Sequence, residues 1–159
     1  MDNDKLPKVL EFFTLLSGAE SAVADLYTAC QEVWPGEELW KTLTEQELGH
    51  AAAALRMKEL VAAAPADFLL PKPLNIKGVD LFISGVKNYA TKVRCMDYTL
   101  KQALAVARDV ELSILEGRYD QFLSTKDQNY NTIIAGIIAE TRGHREKIND
   151  RLATIGIVK

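Results

Sequence analysis

Two stretches of the chain carry residue types that hold metal ions. Glu47-Leu48-Gly49-His50 places a carboxylate and an imidazole three residues apart, and His144 follows Glu140 by four. His50 and His144 are the only two histidines in 159 residues. Residues three or four apart share one face of an α-helix. Each pair can therefore aim an oxygen and a nitrogen donor at one point. Metal-binding helical bundles use this device: a Glu-x-x-His from each of two helices and a lone inward Glu from each of the other two.

Lone inward glutamates can be sought with the turn of about 100° per residue of an α-helix. Glu20 falls on the face of Phe13, Leu16, Val23, Ala24 and Tyr27. Glu47 shares its face with Trp40, Leu43, His50, Ala51 and Ala54, and Glu111 with Leu100, Leu104, Ala107, Leu115 and Phe122. Each lies mid-stripe, about halfway along its helix. Glutamate is almost never fully buried without a partner, because an ionised carboxylate alone in a core costs several kcal/mol. Three at matching depth call for a cation between them, for protonation, or for pairing with Lys or Arg. Lys58 and Arg118 are the basic residues on these faces. Tyr27 and Tyr119, about two turns beyond Glu20 and Glu111, can orient carboxylates or act as ordinary core tyrosines.

The last helical segment departs from this pattern. Its apolar stripe is Ile134, Ile137, Ile138, Ile148, Leu152 and Ile155. His144 and Thr141 lie near the stripe's centre and Glu140 at its edge. The Glu-x-x-His register calls for a glutamate at 141, where the chain has threonine. Glu140 is the candidate that can swing in.

These residues need long helices to position them. Pro7 to Val33 reads as a first helix, stopped by Trp34-Pro35-Gly36. Glu37 to Ala64 reads as a second, ended by Pro65, and the short loop makes the two antiparallel neighbours. Ala64 to Lys77, with Pro65, Pro71 and Pro73, is a connection. Val79, Phe82, Val86, Tyr89 and Val93 then mark a helix that carries the chain back along the bundle. Thr99-Leu100-Lys101-Gln102 reads as a capping box opening a third long helix to Leu123. Ser124 to Asn131 is turn-like, and Tyr130 to Leu152 forms the fourth. No strand pattern is visible. The expectation is an all-α, ferritin-like four-helix bundle with a long crossover between helices 2 and 3, as one domain over 1–159.

Composition bounds the function. The chain is 48% hydrophobic and 26% charged, an ordinary globular mix. A net charge of −3 without a Lys/Arg block argues against nucleic acid. No apolar run approaches the roughly 20 residues that span a bilayer. The polar start, Met1-Asp2-Asn3-Asp4-Lys5, lacks the basic and apolar regions of a signal peptide. A cytoplasmic protein is expected. Cys30 and Cys95 form no Cys-x-x-Cys pair and read as two reduced core cysteines.

The chain resembles the rubrerythrin branch of the ferritin-like superfamily. The residues that carry the resemblance are Glu20 with Ala24 and Tyr27, Glu47-Leu48-Gly49-His50, Glu111 with Tyr119, and His144. It spans about residues 8 to 155 and covers the diiron bundle alone, without a rubredoxin tail. It implies a carboxylate-bridged pair of irons that reacts with peroxide or dioxygen, fed by a separate electron donor, in a homodimer. By position Glu20 and Glu111 would be terminal ligands, Glu47 a bridge, and His50 and His144 the nitrogen ligands. The second bridging glutamate falls on Thr141, and a further family glutamate on Ile114. The site residues expected are thus Glu20, Glu47, His50, Glu111, Glu140 and His144. They would hold two irons, or one iron, or another divalent metal such as manganese or zinc. The alternative is a degenerate bundle, with a mononuclear or absent metal site, that binds or supports rather than catalyses.

Overall fold

Proline and a handful of caps set the boundaries. Pro7 sits in the first turn of α1 (Leu6–Val33), where its missing N–H is no loss. The helix ends at Trp34, whose N–H still bonds Cys30 O at 2.8 Å, before Pro35 turns the chain. The structure is a computed structural model describing residue 1 and residues 4–116 and 122–155. α2 (Glu38–Ala63) stops ahead of Pro65, which opens one turn of 3₁₀ helix, Pro65–Asp67. In α3 (Ile76–Arg94) the side chain of Asn75 accepts the Gly78 N–H, and the cationic Lys92 and Arg94 lie in the last turn, where the helix end is negative. Met96 follows α3 in the left-handed region, φ 58°, and its N–H bonds Val93 O while that of Asp97 bonds Lys92 O. α4 (Leu100–Glu116) opens with the expected capping box: Gln102 Oε1 accepts the Thr99 N–H at 2.9 Å and Thr99 Oγ1 accepts the Gln102 N–H at 3.3 Å. Asp127 caps α5 (Gln128–Ile155) by accepting the Tyr130 N–H.

α1 packs along both α2 and α3, α4 along α5, and α2 meets α5. The all-α expectation holds, with one correction. Phe68–Leu69 (β1) pairs antiparallel with Ser124–Thr125 (β2). Two residues are too few to show an alternating pattern. The pair forms because two connections arrive side by side, with backbone groups that no helix satisfies. Phe68 pins it, fully buried with its ring edge-on to Tyr130 at 5.3 Å. The third long helix was expected to reach Leu123. Its described part ends at Glu116, residues 117–121 lie outside the described residues, and Phe122 and Leu123 are not helical. Cys95 is a second correction: it is free but exposed at the end of α3, whereas Cys30 is buried.

The apolar interior comes in two clusters. One gathers Tyr27, Trp40, Leu43, Val86, Leu104 and Ile148. The other gathers Phe12, Phe13, Met57, Phe68, Tyr130 and Ile134. α1 and α5 run from the second cluster to the first, and α2 runs the opposite way. Where α1, α2 and α5 pass from one cluster to the other, their buried residues turn polar: Glu20, Glu47 with His50, and Thr141 with His144. Among the described residues no helix is long and apolar enough to cross a membrane.

Candidate metal centre

Helical phase puts each of these side chains inside. Glu47 and Glu111 are wholly buried, and Glu20, His50 and His144 are at most 3% exposed. They come from α1, α2, α4 and α5, and α3 contributes none of them. Two groups of donors result. One ligand atom each from Glu20, Glu47 and His50 lie within 4.8 Å of one another, and so do atoms of Glu47, Glu111 and His144. Glu47 belongs to both, one oxygen toward each: Oε2 is 3.1 Å from His50 Nδ1 and Oε1 is 2.7 Å from His144 Nδ1. His144 Nδ1 is also 3.4 Å from Glu111 Oε1. The two imidazoles stack with centroids 5.5 Å apart.

Trp40 Nε1, Thr44 Oγ1, Gln46 Oε1 and Arg145 Nε are buried without a hydrogen-bond partner elsewhere, but the largest group of such atoms lies in this layer. Glu20 Oε2, Glu47 Oε1, Glu111 Oε2 and both nitrogens of His144 are buried without a hydrogen-bond partner. Glu47 Oε1 and His144 Nδ1 are close but not aligned as donor and acceptor. Buried polar atoms are nearly always satisfied, and unsatisfied ones call for an ion or water. Three carboxylates and two imidazoles, grouped in two sets of three with ligand atoms within 4.8 Å of one another, fit divalent cations with oxygen and nitrogen ligands.

Electrostatics without metal points the same way. Burial, then the neighbouring Glu47 and Glu111 charges, pushes the Glu20 carboxyl well above the usual range. Burial also raises Glu111, despite His144 beside it. Glu47 is the exception: burial would raise it, yet the two imidazoles hold it at about 2. Burial opposes charging His144, but Glu111 and Glu47 bring it up to about 9. His50 is raised as well, the pull of Glu47 overcoming burial. The metal-free layer therefore balances itself with protons, which a cation would displace.

Glu140 joins neither group. Its side chain is about half exposed, and its Oε2 lies 3.0 Å from His50 Nε2, across the α2–α5 seam. Thr141 is buried, but its hydroxyl donates to Ile137 O of its own helix. Tyr27 donates to Glu111 Oε1 at 2.5 Å. It orients the carboxylate of another helix, not that of Glu20 on its own. Lys58 is no counter-ion, since it bonds Thr14. Arg118 and Tyr119 lie outside the described residues. Trp40 packs in the core, stacked on Tyr27. No family model, curated protein or solved structure matches the chain.

Proposed function

We propose that this polar layer holds a pair of divalent metal ions, iron in the first instance, within a ferritin-like bundle of the rubrerythrin type, and that the protein reacts with peroxide or dioxygen there. The observation that carries the reading is the sharing of Glu47 between two buried donor groups in which Glu20 Oε2, Glu111 Oε2 and both nitrogens of His144 have no hydrogen-bond partner. The arrangement of helices supports the fold assignment: α1, α2, α4 and α5 supply the layer and α3 runs outside it.

Glu20, Glu47 and His50 would hold one ion, and Glu47, Glu111 and His144 the other. Metal ions held by these residues would supply the electrons that reduce the oxidant. The chain's own contribution is positional and electrostatic. Glu47 remains ionised between the two positions, so its charge is available to both. Tyr27 holds one oxygen of Glu111, leaving Oε2 free. The two apolar clusters on either side limit water around the layer. Reducing equivalents come from a separate donor.

Thr141 favours a second reading: a degenerate bundle with one ion or none, acting as a binding or structural protein. Its neutral hydroxyl stands where the resemblance calls for a second bridging carboxylate, and it is engaged by its own backbone. Anaerobic loading with ferrous iron separates the two. Two irons per chain with peroxide consumption supports the diiron reading. One iron or none, without turnover, supports the degenerate one.

A further inference from the structure

Glu140 differs from every other acid in the cluster. Its side chain is 51% exposed, against 0% for Glu47 and Glu111. It lies one position away from the inward stripe of α5, and it meets the site only through a histidine of another helix. His50 is thus held at both edges of its ring, Nδ1 by Glu47 and Nε2 by Glu140. His144 has no such support, since neither of its nitrogens has a hydrogen-bond partner.

An imidazole that binds a cation must offer a lone pair on one nitrogen and keep its proton on the other. A carboxylate only accepts, so a ring nitrogen that faces one donates. At His50 the two carboxylates differ. Glu47 lies within the donor group itself and Glu140 lies outside it. A cation can replace the proton between Nδ1 and Glu47, and both then become ligands. The proton on Nε2 has no reason to leave, because Glu140 keeps accepting it.

We propose that Glu140 is a positioning residue: it holds the Nε2 proton of His50 and so fixes Nδ1 as the nitrogen that faces the metal. The inference rests on the metal-binding reading above. It assigns Glu140 a role distinct from ligation. It also makes the two positions unequal, since the ring of His50 is oriented from behind and that of His144 is not. The Glu20–Glu47–His50 position fills first.

Zinc tests this, being diamagnetic and accepting the same donors. Two-bond nitrogen–proton correlation spectra of the zinc-loaded protein report which ring nitrogen is bound, with His144→Gln used to assign the two imidazoles. Chelator competition gives the zinc affinity of the wild type, Glu140→Gln and Glu140→Ala. The expected result is a metal-bound Nδ1 and a protonated Nε2 on His50. Loss of such a partner weakens metal binding about 10- to 100-fold, and this is the effect expected for Glu140→Ala at the tighter position. Glu140→Gln keeps an accepting oxygen and retains most of the affinity and the same bound nitrogen. A zinc-bound Nε2 would overturn the proposal. So would a Glu140→Ala affinity within about twofold of wild type, well below the loss expected of an orienting partner. A Glu140→Gln loss equal to that of alanine would also overturn it, by showing that the negative charge, and not acceptance of the Nε2 proton's hydrogen bond, carries the effect. If the wild type binds no zinc or iron at all, the metal-binding reading fails, and this inference with it.

Discussion

The hydroxyl of Tyr27 on α1 donates to Glu111 Oε1 on α4 at 2.5 Å, across 84 residues of sequence and inside a fully buried layer. The hydroxyl takes one oxygen, and the other, Oε2, has no hydrogen-bond partner in the interior. Tyr27→Phe removes the donor and leaves a buried acceptor unsatisfied, which costs about 1–3 kcal/mol. The expected outcome is a lower Tm for the metal-free protein. A metal affinity about tenfold weaker at the second position is expected alongside it, measured by calorimetric titration. A Tyr27→Phe protein with unchanged affinity at both positions would remove this residue from the site.

The sharing of Glu47 predicts an uneven set of single mutants. Glu47→Gln touches both donor groups, whereas Glu20→Gln and Glu111→Gln touch one each. Elemental analysis after loading should find near-complete loss of metal in Glu47→Gln and loss of about one equivalent in each of the others. These are large effects because a missing carboxylate removes both a ligand and a neutralising charge. Equal losses in all three variants would refute the two-position geometry.

Thr141 allows a test of charge balance. Thr141→Glu puts a further carboxylate into a position only 1% exposed, where an unpaired charge costs several kcal/mol. The metal-free variant should therefore melt below wild type. Metal binding should then raise its Tm by more than it raises that of wild type, and peroxide consumption with iron should increase. A variant that is destabilised equally with and without metal would show that residue 141 does not face the ions.

The protons held by the layer give the metal-free protein a defined pH dependence. His144 is raised from 6.5 to about 9 in the fold. Its contribution to stability is full below pH 6.5 and is lost as pH rises through 9. Glu20 and Glu111, also raised, act in the same sense above their ordinary 4.5. Glu47, lowered from 4.5 to about 2, contributes above 4.5 and loses this as pH falls through 2. Chelator-treated protein should thus lose unfolding free energy between pH 6.5 and 9, at a rate approaching about 1.4 kcal/mol per pH unit for each proton released, and its Tm should fall with it. Metal affinity should strengthen over the same interval, because ligation must displace those protons. A flat Tm profile across that window would contradict the charge state derived for the cluster.

Much of the layer was legible because it depends on local geometry. Glu20, Glu47 and Glu111 sit mid-stripe by helical phase, and the structure buries all three. The capping box at Thr99–Gln102 and the stops at Pro35 and Pro65 were readable for the same reason: a cap or a proline acts within one turn. The pairing of Phe68–Leu69 with Ser124–Thr125 was not, since a two-residue strand carries no period. Nor was the exposure of Cys95, which follows from its place at the end of α3.

The sequence by itself determined which helices form, which of their faces are apolar, and that acids and histidines interrupt those faces at similar depth. These follow from a backbone period of about 3.6 residues and from the cost of burying charge. Tertiary structure alone decided which side chains meet. It set Glu47 between His50 and His144, turned Tyr27 to Glu111, and gave Glu140 to His50 in place of either donor group. The physical reason is that contacts between helices depend on the rotation and offset of one axis against another. Ridges of side chains over the whole length of two helices set those quantities, and no single stretch of sequence contains them.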